Sequence, residues 1–273
     1  MPPAQVTFLG TGTSHGVPMI GCRCVVCRSE DSRDRRLRPS IHLDVAGGPG
    51  LLVDTSTDLR QQALTHDITK VDAVLFTHSH ADHVMGLDEL RRFNALKGAP
   101  IPVYADAHTA GELTRIFAYA FRPSSGPGGG VPELALTAID GPFEAAGVAV
   151  VPVPLLHGRR PILGFRFGDF AYLTDCSAIP EPSFALLEDL DVLVLDALRQ
   201  RPHPTHFTVA EAVAAATRIG ARQTYFTHIC HDLPHAETCA ALPAGMALAH
   251  DGLAVTIDTE RLPASLVSRA GQA

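Results

Sequence analysis

Short apolar runs, each closed by a polar or charged residue, recur from one end of this chain to the other. Those at 5–9, 41–45, 51–53, 71–76, 101–104, 148–153, 164–167, 170–174, 192–195, 224–227 and 253–257 have the length and β-branched content of strands. Between them, apolar residues three and four apart predict helices at 81–96, 110–121, 183–190 and 208–219. The last has a start signal: Thr208 can cap it and Glu211 stands three residues on, the pattern of a capping box. Many strands alternating irregularly with helices predict an α/β chain.

One strand runs directly into chemistry. Behind 71–76 the chain reads Thr77-His78-Ser79-His80-Ala81-Asp82-His83, four metal-ligand side chains within six residues at a strand-to-helix junction. On an extended segment His78 and His80, two apart, point to one side, so both imidazoles can reach one ion. Asp82 and His83 fall where the helix begins and aim elsewhere, which suits a second ion close to the first. A two-metal site clamps the attacking and leaving oxygens of a hydrolysis, its ions roughly 3.5 to 4 Å apart. The zinc-protease pattern H-E-x-x-H is absent.

HxHxDH is the signature of the metallo-β-lactamase superfamily, which this sequence resembles. The resemblance implies a fold, an αββα sandwich of two packed mixed sheets with outer helices, in one domain over 1–273 with its core at about 5–260. It also implies three further ligands at strand ends. His157 matches the third ligand of the first site, Asp175 the bridging carboxylate and His228 the remaining ligand of the second. Asp54 matches a buried acceptor that orients metal-bound histidines without itself binding.

A second cluster lies near the N-terminus. Cys22, Cys24 and Cys27 are three of six cysteines, and CxCxxC is a thiolate set one ligand short of a tetrahedral structural zinc. The chain opens with Met1-Pro2-Pro3 and then a strand, with no apolar export signal before it, so a cytoplasmic protein is expected, where clustered cysteines bind metal more often than they form disulfides. The residues leave the fourth ligand open among Cys230, His231, His235 and Cys239. The opening Gly10-Thr11-Gly12-Thr13-Ser14-His15-Gly16-Val17-Pro18, the CxCxxC and Thr227-His228-Ile229-Cys230-His231 together resemble the phosphoribosyl 1,2-cyclic phosphate phosphodiesterases of the carbon–phosphorus lyase pathway, over residues 6 to about 258. That resemblance selects His231 and a zinc-binding loop at 21–38, with Cys230 as its rival.

Composition narrows the partners. At 273 residues and 46% hydrophobic content the chain can bury a sizeable core. No stretch approaches the roughly 18 apolar residues of a membrane span. A net charge of -7 lacks the basic footprint of a dedicated nucleic-acid binder. Arg33, Arg35, Arg36 and Arg38 form a local basic run, read as a solvated face with a phosphate-holding role as the alternative. The Gly/Pro-rich segment 122–132 reads as a loop, and residues after about 261 as a frayed tail.

His206 stands just ahead of the 208–219 helix, whose N-terminus favours anions. By resemblance it matches the non-ligand histidine of the phosphodiesterase branch and of ribonuclease Z; His203 is a weaker candidate for that place. The expected activity is hydrolysis of small, cyclic phosphodiesters such as ribose cyclic phosphate by a two-metal-activated hydroxide, with zinc or manganese as catalytic metal and Asp82 and His206 in the catalytic machinery. The alternatives are a ribonuclease Z-like RNA phosphodiesterase and a thioester hydrolase of the glyoxalase II type. A homodimer is expected from the resemblance alone.

Overall fold

A computed structural model describes residues 3–121 and 130–261. The first half of the chain forms β1 (Ala4–Gly10), β2 (Ser40–Val45), β3 (Gly50–Val53), β4 (Ala73–Leu75), β5 (Ile101–Ala105) and β6 (Leu134–Ala138). The second forms β7 (Phe143–Ala145), β8 (Val148–His157), β9 (Arg160–Phe167), β10 (Phe170–Leu173), β11 (Val192–Asp196), β12 (Gln223–Thr227), β13 (Met246–Leu248) and β14 (Ala254–Ile257). They make two mixed seven-stranded sheets, in the orders β14-β1-β2-β3-β4-β5-β6 and β13-β12-β11-β10-β9-β8-β7.

The two sheets share one pairing plan. β1 to β3 and β8 to β10 are antiparallel; from β3 to β6 and from β10 to β13 neighbours run parallel. β14 flanks β1 and β7 flanks β8, both antiparallel. The sequence carries no repeat at that period, so the symmetry is one of topology.

Each central strand is apolar on both faces, which is why it reads as a run rather than an alternation. Phe8, Leu43, Val53 and Leu75 of one sheet meet Phe165, Phe167, Phe170 and Val194 of the other in the middle of the sandwich. The outer face of the first sheet (Leu52, Val74, Val103) is covered by Leu59, Leu90 and Leu113, and that of the second (Leu173, Leu193, Phe226) by Leu187, Ala212 and Ala216. Those covering residues come from α1 (Leu59–Thr65), α2 (Ala81–Val84), α3 (Leu90–Lys97) and α4 (Ala107–Ile116) on one side, and from α5 (Glu181–Phe184), α6 (Val209–Ile219), α7 (His235–Ala241) and the turns beside them on the other. The result is the expected αββα sandwich.

Several boundaries differ from the sequence reading. The helix expected at 81–96 is α2, a 3-10 turn at Leu87–Glu89 and α3. Gly86 is the break: its amide bonds Thr55, and a Cβ there would lie 2.1 Å from the Ser56 carbonyl oxygen. The helix expected at 110–121 begins earlier, at Ala107, because the Asp106 side chain caps it. β6, β7, β13, α1 and α7 carry too few regularly spaced apolar residues to stand out. The expected cap of α6 is present, with Thr208 and Glu211 forming both bonds of the capping box. Most of the Gly/Pro-rich segment, residues 122–129, and the tail after Arg261 lie outside the described residues. No helix among the described residues is long and apolar enough to cross a membrane.

Candidate metal centre

The strands deliver their C-terminal ends to one rim, and the sequence-predicted ligands collect there. Potential ligand atoms of His78, His80 and His157 form one group within 4.8 Å, and those of Asp82, His83, Asp175 and His228 form another. Asp175 stands between them: its carboxylate lies 3.9 Å from His78 Nε2, 3.2 Å from His83 Nε2 and 3.2 Å from His228 Nε2. Asp54, Asp175 and His228 all adopt left-handed backbone (φ 63°, 60° and 58°). Each turns its chain sharply at or just beyond a strand end, a conformation costly for a residue with a Cβ and characteristic of functional rims. Asp54 and Asp175 also occupy equivalent places after β3 and β10, the matching strands of the two halves.

Hydrogen bonds fix the tautomers. Asp54 is completely buried and accepts from the Thr77 amide at 2.9 Å, the Thr77 hydroxyl at 2.8 Å and His83 Nδ1 at 2.8 Å. Because that hydroxyl donates to Asp54, its oxygen accepts from His78 Nδ1 at 3.0 Å. His157 Nδ1 donates to the Thr205 carbonyl at 2.8 Å. In their neutral forms all three histidines therefore turn a lone-pair Nε2 to the rim, the arrangement in which outer hydrogen bonds orient metal ligands. His78 Nε2, His83 Nε2 and both ring nitrogens of His228 are buried without a hydrogen-bond partner among the described residues. Orphaned imidazole nitrogens around carboxylates cost several kcal/mol of desolvation unless a cation completes them, so the donor set fits two divalent ions.

Electrostatics without metal are frustrated. Burial holds His78 well below its ordinary pKa. Burial also opposes charge on His83, yet Asp175, Asp82 and Asp54 carry it well above. Asp175 is held well below the carboxylate range, its burial outweighed by His228 and His83.

His206 lies beside the second group, its ring stacked on His228 at 4.6 Å and 4.7 Å from His157. Its Nδ1 is 3.0 Å from Asp196 Oδ1, while Asp196 Oδ2 accepts from the Phe207 amide. Burial drives Asp196 well above the carboxylate range, and burial with the neighbouring His228 brings His206 down to about 3. Sequence reasoning missed Asp196. Its signal was the one that marks Asp175, a carboxylate closing a buried strand. His203 packs 5.0 Å from His206 and its Nδ1 bonds Thr205.

The cysteine cluster assembles 209 residues apart in sequence. Cys22, Cys24 and Cys27 Sγ lie 3.2, 3.4 and 3.7 Å from His231 Nδ1, spacings that suit a tetrahedral Cys3His zinc. Among the rivals, Cys230 Sγ accepts from the Asp232 amide, Cys239 Sγ from Leu248, and His235 packs against His250. The amide of Cys27 and the His231 ring help bring Cys24 down to about 6 against the effect of burial, whereas burial pushes Cys27 up to about 11. In the basic run, Arg33 pairs with Asp31, Arg38 with Asp58, and Arg36 is buried against Asp34. Local ion pairs thus engage three of the four arginines, and Arg35 is exposed.

Residues 50–229 match the family model for the beta-lactamase superfamily domain. Among solved structures, a diphosphatase from the PhnP family superposes with a TM-score of 0.87 and 46% identity, over 93% of this chain and 97% of that one. Zn(2+)-bound PqqB from Methylobacterium extorquens superposes with a TM-score of 0.76 over 93% of this chain and all of that one, and at 22% identity shows the shared fold. A curated relative, an octanoyltransferase of Porphyromonas gingivalis, is 39% identical over 253 residues, 92% of this chain and 51% of that protein. The chain thus spans about half the length of that relative.

Proposed function

This chain belongs to the beta-lactamase superfamily and to its PhnP family, and from that premise we propose that it is a metal-dependent phosphodiesterase of small, cyclic phosphodiesters such as ribose cyclic phosphate. The observation that carries the reading is the Asp196–His206 pair beside the ligand cluster. His78, His80 and His157 would hold one divalent cation, Asp82, His83 and His228 a second, with Asp175 shared. When bound, such cations supply Lewis acidity, making water nucleophilic near neutral pH and offsetting charge on the phosphoryl oxygens.

The protein's own contribution is placement and proton supply. Asp54 and Thr77 hold the His78 and His83 rings in their required tautomers, and the Thr205 carbonyl does so for His157. With Asp196 protonated, its Oδ1–H donates to His206 Nδ1 and the neutral ring carries its own hydrogen on Nε2. That hydrogen goes to the departing oxygen as the ester bond breaks while Nδ1 takes the proton from Asp196, so charge never builds on an isolated imidazole. General-acid help of this kind is worth about 10² to 10⁴ fold. The 46% identical neighbour is a diphosphatase, which supports P–O cleavage, and the net charge of -7 favours a small substrate over RNA.

The test is a panel of initial rates with Mn²⁺ or Zn²⁺: bis(p-nitrophenyl) phosphate, a ribose cyclic phosphate, a thioester and a β-lactam. The expected result is diester cleavage that is lost in Asp82→Ala and falls about 10² to 10⁴ fold in His206→Ala with metal content unchanged. Turnover of the thioester or lactam with no diester cleavage would overturn the reading.

A further inference from the structure

Arg160 is the cross-strand partner of His157 in the β8–β9 hairpin. Facing residues of an antiparallel pair project from the same side of the sheet, so the register that brings His157 to the rim brings Arg160 beside it. The hairpin closes through Gly158 and Arg159 alone. Gly158 takes φ 63° and donates its amide to Ser177 Oγ at 2.9 Å, which fixes the turn.

The guanidinium is held but not satisfied. Nη2 donates to Ser79 Oγ at 2.7 Å, and Ser79 is the residue between His78 and His80. Nε is buried and has no hydrogen-bond partner among the described residues. No carboxylate among the described residues forms an ion pair with Arg160, in contrast to Arg38 on Asp58 and Arg201 on Asp232. A guanidinium with a buried, unpaired N–H carries a desolvation cost that an anion would relieve. Arginine presents its N–H groups in a fixed fork that matches two oxygens of a phosphoryl group.

We propose that Arg160 is a substrate-binding residue that grips a non-bridging oxygen of the phosphoryl group from the Ser79–His80 side, while His206 serves the departing oxygen from the His228 side. This rests on the phosphodiesterase reading above and adds a direct, protein-borne anion contact to it. Ser79 sets the angle of the fork, so the same serine that spaces the two histidine ligands aims the arginine.

The test measures inorganic phosphate binding to the metal-loaded protein by calorimetry, together with steady-state kinetics on bis(p-nitrophenyl) phosphate and metal content. Arg160→Met is expected to weaken phosphate binding and raise KM by roughly 10- to 100-fold, as for loss of a charged hydrogen bond, with metal content unchanged. Arg160→Lys is expected to recover part of the phosphate affinity, and it keeps the test open if the methionine variant fails to fold. Phosphate affinity unchanged in Arg160→Met, absent from the wild type, or lost only in step with metal would each overturn the proposal. A wild type that binds phosphate through Arg160 but cleaves no diester would instead overturn the function reading and leave the anion site standing.

Discussion

At the scale of single residues, the centre is a set of imidazoles oriented by what stands behind them. Thr77 links Asp54 to His78, and Asp54 itself takes the His83 Nδ1 hydrogen, so one buried carboxylate sets two rings. The same carboxylates create a pH dependence. Asp175, Asp82 and Asp54 raise His83 against the effect of burial, and Asp175 likewise raises His228, so in the metal-free protein both hold protons above their ordinary range. A cation needs those nitrogens deprotonated, so protons compete with it: binding releases protons and tightens as pH rises. Calorimetric titration of metal into the metal-free protein in two buffers of different ionisation enthalpy should give different heats at pH 7 and weaker uptake at pH 6. Equal heats and pH-independent affinity would contradict this account of the ligands. The HxHxDH residues were legible from the sequence because their geometry is local. Asp196 and Arg160 were not, because their roles come from a strand end and from a hairpin register that only the fold brings to the rim.

At the scale of elements, the loop of the cysteine cluster is anchored to the segment that follows β12 by a buried side chain as well as by the cysteine–histidine cluster. Arg36, fully buried, donates to Asp34 Oδ1 at 2.9 Å and to the carbonyls of Cys230 at 2.9 Å and Leu233 at 2.7 Å. The basic run was readable as charge, and Arg33 and Arg35 are exposed as a solvated face requires, but Arg36 is buried: solvated faces and buried clamps share one composition. Removing this guanidinium leaves the Asp34 carboxylate buried, still accepting from the His235 amide at 2.8 Å but without its counter-charge. Arg36→Met should therefore cost about 3 to 5 kcal/mol, the range for breaking a buried ion pair from one side, measured by chemical denaturation of the zinc-loaded protein. A loss below about 1 kcal/mol, the value of an exposed pair, would show that the clamp adds little. Edge strands β6 and β13 stayed hidden in the sequence for a related reason: with one flank open, they need no apolar run.

At the scale of the molecule, two similarly paired half-sandwiches put their strand ends on a common rim, and each half supplies residues to both candidate ligand groups. Asp82 and His83 come from the first half and Asp175 and His228 from the second, so the second group forms only when the halves pack. The sandwich was readable because apolar runs on both faces demand cover above and below each sheet; the internal symmetry was not, because pairing plans leave no residue signature. The claim that unites these scales is that two cations, held across the halves, are what the chemistry requires. Its most direct test is one titration of protein stripped of metal at the histidine–carboxylate centre, with Mn²⁺ or Zn²⁺ counted beyond any ion the cysteine cluster holds, while the rate on bis(p-nitrophenyl) phosphate is followed. The account predicts a rate that climbs to a plateau at two equivalents per chain. A plateau at one equivalent, or a rate indifferent to added metal, would contradict it.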